Sequence, residues 1–460
     1  MAFTNRLQQK LASRTHPMWR EILLITIPAF IELVMSTLFG MVDMVMVGRL
    51  GPAAITAVGL TNQPFMLLLA IFAAVNIGTT TLVAWKIGAG KVEEARGVTR
   101  QTLVIGLVLG TLMSGFGVLV APFVVRFMGS GPDIFADATA YFQIVAAGLV
   151  FQAINMGITA ALRGAGETKI PMIYNVGSNL FNVFGNYVLI YGKLGFPQWG
   201  VAGAAVSTSF SRLLGCLAGL YVLYFSRHSL LRLQVKADYR LHRPTVSRIF
   251  QIGLPAALEQ FVLHSGLMLF AKTVSGLGTM SFASHQIGLN ISGLSFAPSM
   301  AFSVASTTLV GQSLGAEKVD QAERYAHVVH KIALLVGIFN GLLFIFFSHP
   351  ITRLYTTDAT VAQAAGTILK ILALSLPGQS TQLSLAGALR GAGDTMYPLY
   401  ASATGIWIFR VVVAYVFVHI FHWGLIGAWA AFVMDQYTRS AIVYLRFRSG
   451  KWKYVKARIR

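Results

Sequence analysis

One interval, 227 residues, organises this chain. Pro28-Ala-Phe-Ile-Glu32 is matched by Pro255-Ala-Ala-Leu-Glu259, Leu50-Gly51 by Leu277-Gly278, and Gly88-Ala-Gly-Lys-Val92 by Gly315-Ala-Glu-Lys-Val319. The octapeptide ALRGAGET at 161–168 returns as ALRGAGDT at 388–395. A constant offset sustained over so long a stretch identifies a duplication. A later match, Gly200-Val-Ala-Gly-Ala to Gly424-Leu-Ile-Gly-Ala, falls at 224 and requires one three-residue gap.

The duplicated unit is a set of six apolar helices. A bilayer crossing takes about 20 residues, and runs of that length predict twelve spans, at 22–48, 54–85, 97–125, 136–162, 169–192, 200–226, 246–274, 280–310, 325–348, 362–389, 396–420 and 424–446. With 55% hydrophobic and 11% charged residues, the chain cannot be read as a soluble domain. The predicted class is an all-α integral membrane protein. Because each unit has an even number of spans, both copies keep one orientation, and two six-helix lobes related by an axis along the membrane normal follow. The expected division is an N-terminal lobe over 1–226, a polar basic linker over 227–245, and a C-terminal lobe over 246–460.

The net charge of +20 would suggest nucleic acid in a soluble protein. Here it reads as topology. With the N-terminus inside, the cytoplasmic loops hold 26 of the 36 Lys and Arg, and the outer loops hold only Arg49, Arg126, Lys193, Lys272 and Arg353. That bias puts both termini on the cytoplasmic face of a plasma (inner) membrane, with anionic lipid head groups as the partner of the basic charge and no nucleic acid. The basic segment up to Arg20 precedes a run too long for a signal peptide and without a small-residue cleavage site, which reads as a retained signal anchor. Cys216, the one cysteine, excludes an intrachain disulfide and a cysteine metal cluster.

Two carboxylates, Glu32 and Asp43, lie within the first span. Pro28, Glu32, Ser36 and Asp43 share one helix face, with Asp43 three turns beyond Glu32. Ionisable residues in a membrane helix face a bundle interior or an aqueous cavity and mark proton or ion pathways, so this face is a candidate cation or proton site. The alternative is a pair of acids that are neutral or paired for packing.

The repeat separates scaffold from chemistry. Residues present in both copies, such as Pro28 and Pro255, are most simply architecture. Asp43, by contrast, has Phe270 as its counterpart. The fifth span carries Asn175, Asn179, Asn182 and Asn186 as one helical stripe, and the aligned residues are Ser402, Ile406, Phe409 and Val413. Asp43 and the stripe are lost together, which points to one N-lobe site where amides hydrogen-bond a carboxylate in either protonation state. The competing role for any single asparagine is interhelical packing. Glu32 and Glu259 occur in both halves, one turn after a proline, so each either supports a kink or binds a substrate cation. His285, Gln286 and Asn290 in the eighth span are a candidate C-lobe polar patch for substrate. Arg410, Asp435 and Arg439 read as a buried ion-pair group, since an unpaired charge there is costly.

No HExxH, GxSxG or P-loop pattern is present, which leaves zinc, serine-elbow and nucleotide-hydrolysing chemistry without a foundation. Gly391-Ala-Gly-Asp394 has the GxGD form of an intramembrane aspartyl protease, but its repeat as Gly164-Ala-Gly-Glu167 marks it as a connector.

Taken together, P-A-F-I-E followed by V-D-M-V-M-V-G-R-L-G, the turn T-L-V-A-W-K-I-G-A-G-K-V-E-E-A-R and its copy, the two A-L-R-G-A-G segments, and A-S-H-Q-I-G-L-N at 283–290 resemble the multidrug and toxic compound extrusion (MATE) family over nearly the whole chain. The resemblance implies a V-shaped pair of lobes that exports organic, often cationic compounds in exchange for protons or sodium. It also implies that Asp43 is the N-lobe acid and that Asn182 and Asn186 are the polar positions late in the fifth span. Three departures stand out: Leu263 and Gln379 occupy places where one branch of the family has C-lobe acids, and Asn186 stands where some members have Asp. Proton coupling through Asp43 is therefore favoured over C-lobe sodium, with sodium at Asp43 as the variant. The expected protein is a monomeric antiporter without a cofactor, its coupling ion H+ or Na+, and not an enzyme. The alternatives are an exporter of a lipid-linked or metabolite substrate, and a membrane enzyme using Asp43 and Glu32.

Overall fold

The structure, a computed structural model, describes residues 18–227, 229–356 and 358–459. The basic segment read as the start of a signal anchor, with Arg6, Lys10 and Arg14, lies outside the described residues. The first half comprises α1 (Met18–Gly48), α2 (Pro52–Gly88), α3 (Val92–Phe127), α4 (Pro132–Ala147), α5 (Leu149–Gly164), α6 (Lys169–Tyr191) and α7 (Gly200–Phe225). The second comprises α8 (Arg243–Ser275), α9 (Thr279–Gly315), α10 (Val319–Arg353), α11 (Ala359–Gly391), α12 (Met396–Ala403) continued by π-helical turns over Thr404–Val413 and Val416–Ile420, and α13 (Gly424–Arg448).

These make twelve rods, with α4 and α5 forming one span bent by 43°. Among the described residues nine helices are long and apolar enough to cross a membrane, ten with the bent pair. The other two rods are α6, diluted by the asparagine stripe, and α13, which carries Asp435, Gln436 and Arg439. Apolar side chains such as Leu119, Phe123 and Phe346 point outward, as a lipid-facing surface requires.

The repeat is visible in the turns. Gly166 and Gly393, in the two ALRGAG segments, take φ values of 85° and 84°, a conformation that glycine adopts at no steric cost. The acid that follows each is engaged. Glu167 accepts from Leu230 N at 2.7 Å and Ser229 Oγ at 2.8 Å, with burial pushing its carboxyl above the usual range. Asp394 accepts from Arg446 Nε at 2.7 Å. Each turn thus anchors a neighbouring segment, the linker in one half and the end of α13 in the other. The linker itself is pinned to the N-lobe, with Leu231 and Leu233 buried in its core.

The lobes meet through α2 against α8 and α9, and through α1 against α9. Their contact covers only the end that carries the linker and the start of α1, called the basic end below. Along α2 nearly continuous burial begins at Phe72, and along α9 at Ala301, whereas Met66, Leu67, Ile71, Leu294 and Met300 before those points are exposed. The result is a V that is closed at the basic end.

The closure is reciprocal. Thr81 Oγ1 donates to Arg390 O at 2.9 Å, and Thr308 Oγ1 donates to Arg163 O at 2.9 Å. Trp85 Nε1 donates to Gly391 O at 2.8 Å, and Gln312 Nε2 donates to Gly164 O at 3.0 Å. Donors and acceptors are both related by 227 residues. Glycine permits the approach: a Cβ on Gly88 would stand 1.9 Å from Gln312 O, and one on Gly315 would stand 2.2 Å from Trp85 O. Four such bonds at about 0.6 kcal/mol each make a seam firm enough to populate and weak enough to open.

Candidate functional site

The N-lobe encloses a cavity of about 600 Å³ between α1, α2, α4, α5, α6 and α7. Asp43, Glu32, Ser36, Asn175, Asn179, Asn182 and Arg212 line it. The volume is that of a small-molecule site.

Two carboxylates face this space from α1, and α6 meets both. Asn186 Nδ2 donates to Asp43 Oδ1, and Asn175 Nδ2 donates to Glu32 Oε1 at 2.7 Å. The spacing explains the double match. Glu32 to Asp43 and Asn175 to Asn186 each span eleven residues, about 16 Å of rise, so two parallel helices pair acid with amide at both ends. The stripe is therefore divided: Asn175 serves Glu32, Asn186 serves Asp43, and Asn182 is tied to Ser207 and Thr208 of α7 at 3.4 and 3.3 Å. Asn179 faces the cavity between them, and Ser36 lines the same space. Asn186 is fully buried, and its Oδ1 has no hydrogen-bond partner among the described residues. The one amide can serve both states of Asp43, donating to the carboxylate through nitrogen and accepting from the acid through oxygen.

Glu32 has more than an amide. Arg163 Nη2 lies 2.9 Å from its Oε2, a buried ion pair. The C-lobe reproduces it, with Arg390 Nη2 2.7 Å from Glu259 Oε2 and Ser402 Oγ donating to Glu259 Oε1 at 2.9 Å. Ser402 is the counterpart of Asn175. Both glutamates thus have a guanidinium at hand, which in a low-dielectric interior satisfies a carboxylate that would otherwise be costly. Arg163 and Arg390, counted in the sequence as loop charge, in fact point back into their lobes.

The proposed C-lobe patch is not one patch. His285 is fully buried, boxed by the rings of Phe270, Phe282 and Trp429 at 5.4, 6.0 and 5.5 Å. Gln286 and Asn290 are exposed on another face of α9, where Asn290 Nδ2 donates to Gln286 O at 2.9 Å. Successive residues on a helix diverge by about 100°, which separates neighbours in sequence. Arg410 and Asp435 form the expected buried pair at 2.5 Å, with Arg439 at 3.8 Å.

Sequence reasoning missed Arg212. It lines the cavity from α7, with Cζ 4.8 Å from the Phe65 ring centroid and Nη1 donating to Val145 O at 3.3 Å. A signal existed: the charge tally leaves five basic residues inside spans, Arg212, Lys331, Lys370, Arg410 and Arg439. No group of three or more His, Cys, Asp or Glu positioned to hold a metal ion occurs among the described residues.

A duplicated twelve-helix V with a polar, charged cavity inside its N-lobe defines a membrane transporter fold. The comparisons assign the family. The MatE family model matches residues 28–188 and 255–416, one match in each half, and the chain belongs to that family of membrane transporters. It is 32% identical over 437 residues to the probable multidrug resistance protein NorM of Thermotoga maritima, covering 94% of this chain and 93% of that protein. It is 27% identical to the uncharacterized transporter YisQ of Bacillus subtilis, covering 87% of each. A solved structure described as the outward-facing conformation of a multidrug resistance MATE family transporter superposes with a TM-score of 0.88 at 24% identity, over 94% of this chain and 96% of that one.

Proposed function

We propose that this protein is a secondary antiporter of the plasma membrane that exports organic compounds in exchange for protons, with Asp43 as the group that carries the coupling proton. The observation that carries the reading is Asp43 on the wall of the N-lobe cavity, paired with the buried Asn186 behind it. A relative named as a probable multidrug resistance protein supports export of drug-like molecules as the cargo. The basic end, where the lobes touch, is the cytoplasmic end in this reading, and the V opens outward.

The mechanism follows from charge. An ionised Asp43 in a low-dielectric lobe attracts a cationic group of the cargo. Protonation removes that attraction, and Asn186 satisfies either form. Because the two protonation states bind cargo differently, a proton gradient biases the conformational cycle. The first span, which carries Pro28 within its helix, and the reciprocal seam at the basic end are the parts that move. Protein monomers, membrane lipids and small organic molecules suffice as components, with no cofactor and no catalytic step; sodium at Asp43 is the variant for the coupling ion.

The test is uptake of a fluorescent organic cation into inside-out vesicles under a proton or a sodium gradient. Proton-driven uptake by the wild type, abolished in Asp43→Asn with normal membrane insertion, is the expected result. Full uptake by Asp43→Asn sinks the assignment of coupling to this residue, and sodium-driven uptake replaces the proton with sodium.

A further inference from the structure

The transport reading leaves one cavity charge unused. Arg212 lines the same space as Asp43, but its contacts are a carbonyl, Val145 O at 3.3 Å, and the face of Phe65. Among the described residues no carboxylate lies within 4.0 Å of it, whereas the other buried arginines have one: Arg163 has Glu32, Arg390 has Glu259, and Arg410 has Asp435. Asp43 acts on Arg212 only through space, and a guanidinium in a membrane interior without an oxyanion in direct contact is costly. Its five N–H donors form a planar fork that matches carboxylate or phosphate two at a time, and one 3.3 Å bond to a carbonyl uses little of that capacity.

We propose that Arg212 is the recognition site for an oxyanion of the cargo, a carboxylate, sulfonate or phosphate, so that the cavity selects molecules carrying an anionic and a cationic group together. Asp43 and Arg212 then divide the work. The acid on α1 faces the cationic end of the molecule, and the guanidinium on α7 takes the anionic end by a charge-assisted fork. Phe65, already stacked on the guanidinium, and Tyr141, beside it in the wall, supply aromatic surface for the body of the molecule. A plain cation meets a repulsive charge in the same cavity, which is discrimination by an unfavourable contact as well as a favourable one. The inference rests on the export reading for the cavity's role, but its own content is the choice of cargo.

The test uses a matched pair of dyes. Rhodamine B carries a cationic ring system and a carboxylate, and its ethyl ester keeps the ring system and loses the carboxylate charge. Binding of each to the purified full chain is read by fluorescence anisotropy for wild type, Arg212→Gln and Arg212→Lys, and export of each from vesicles is read in parallel. We expect the wild type to bind rhodamine B about tenfold tighter than the ester, and Arg212→Gln to weaken rhodamine B by about tenfold while binding the ester as tightly as the wild type or, with the repulsive charge gone, more tightly. Arg212→Lys, which keeps the charge and loses the fork, falls between. Equal wild-type affinity for the two dyes overturns the proposal, and so does an equal loss of both dyes in Arg212→Gln, which would mark a packing role. The wild-type ratio decides even where a variant fails to fold. Export of the ester by a wild type that shows no preference defeats this inference and leaves the export reading standing; a wild type that binds and exports neither dye defeats both.

Discussion

The two lobes start from one six-helix plan and end with opposite interiors. In the N-lobe, Phe39 and Asn179 line open space. Their counterparts in the C-lobe, Gly266 and Ile406, close it: a Cβ on Gly266 would lie 2.0 Å from Ile406 Cγ2, so the isoleucine occupies the volume that a side chain would need. Phe270 stands in place of Asp43 and packs on His285, and Val413 stands in place of Asn186. What survives in both lobes is the glutamate–arginine pair next to each proline and the seam beyond it. The contrast separates two jobs that a single lobe would confound. Paired, repeated charges hold the scaffold, and of the unrepeated charges Asp43 and Arg212 face the N-lobe cavity while Arg410, Asp435 and Arg439 are paired inside the C-lobe.

The sharpest way to break that division is to treat the scaffold pairs as equals. Arg163→Ala and Arg390→Ala each strand a buried carboxylate, and each is expected to cost about 3–5 kcal/mol of stability, measured as thermal unfolding of the purified protein. The Glu259 side chain is 2% exposed and that of Glu32 is 9% exposed, so the C-lobe variant should suffer more. Adding Glu259→Gln to Arg390→Ala should recover part of the loss. If Arg163→Ala instead retains full stability and loses transport, Glu32 belongs with the cavity chemistry and the division fails on the N-lobe side.

A smaller effect comes from exchanging the unrepeated amide across the lobes. Asn186→Val removes the one hydrogen bond that Asp43 receives among the described residues, and coupled transport should fall by about ten- to a hundredfold, the equivalent of about 1.5–3 kcal/mol for a bond to a charged group. The reverse change, Val413→Asn, inserts an amide into a closed apolar core. It should cost about 1–3 kcal/mol of stability with transport unchanged. Transport loss in both variants would mean that the C-lobe interior also takes part in coupling.

How far the sequence could carry this reading depended on what the repeat exposes. The architecture was legible because a constant interval fixes the unit and its orientation, and because Asp43, lost in the copy together with the asparagines, stands out by subtraction. Partners that cross helices were not legible. Arg163 and Arg390 sit at helix ends and look like loop charge until the fold turns them onto Glu32 and Glu259. Arg212 aligns with nothing that singles it out, and its place in the cavity depends on how α7 packs against α1 and α4. His285 shares a short polar stretch with Gln286 and Asn290, and only the helix rotation sends it into an aromatic box. The π-helical turns over Thr404–Val413 likewise have no periodicity signal strong enough to distinguish them from the α-helical register of α6.

The smallest predicted effect bears on what the lobes share. The seam at the basic end is built twice from the same parts, so Thr81→Val and Thr308→Val remove equivalent bonds, one donated from each lobe. An interhelical hydrogen bond in a membrane protein is worth about 0.6 kcal/mol, so each variant should shift the balance between closed and open seam by about threefold. Distances between spin labels on α2 and α9 read that balance in the purified protein. Equal shifts for the two variants would show that the closing step has kept the symmetry of the duplication even though the binding interiors have lost it. A large shift from Thr81→Val beside none from Thr308→Val would place the gate on one side of the seam, and the specialisation of the N-lobe would then extend from its cavity to the contact that closes it.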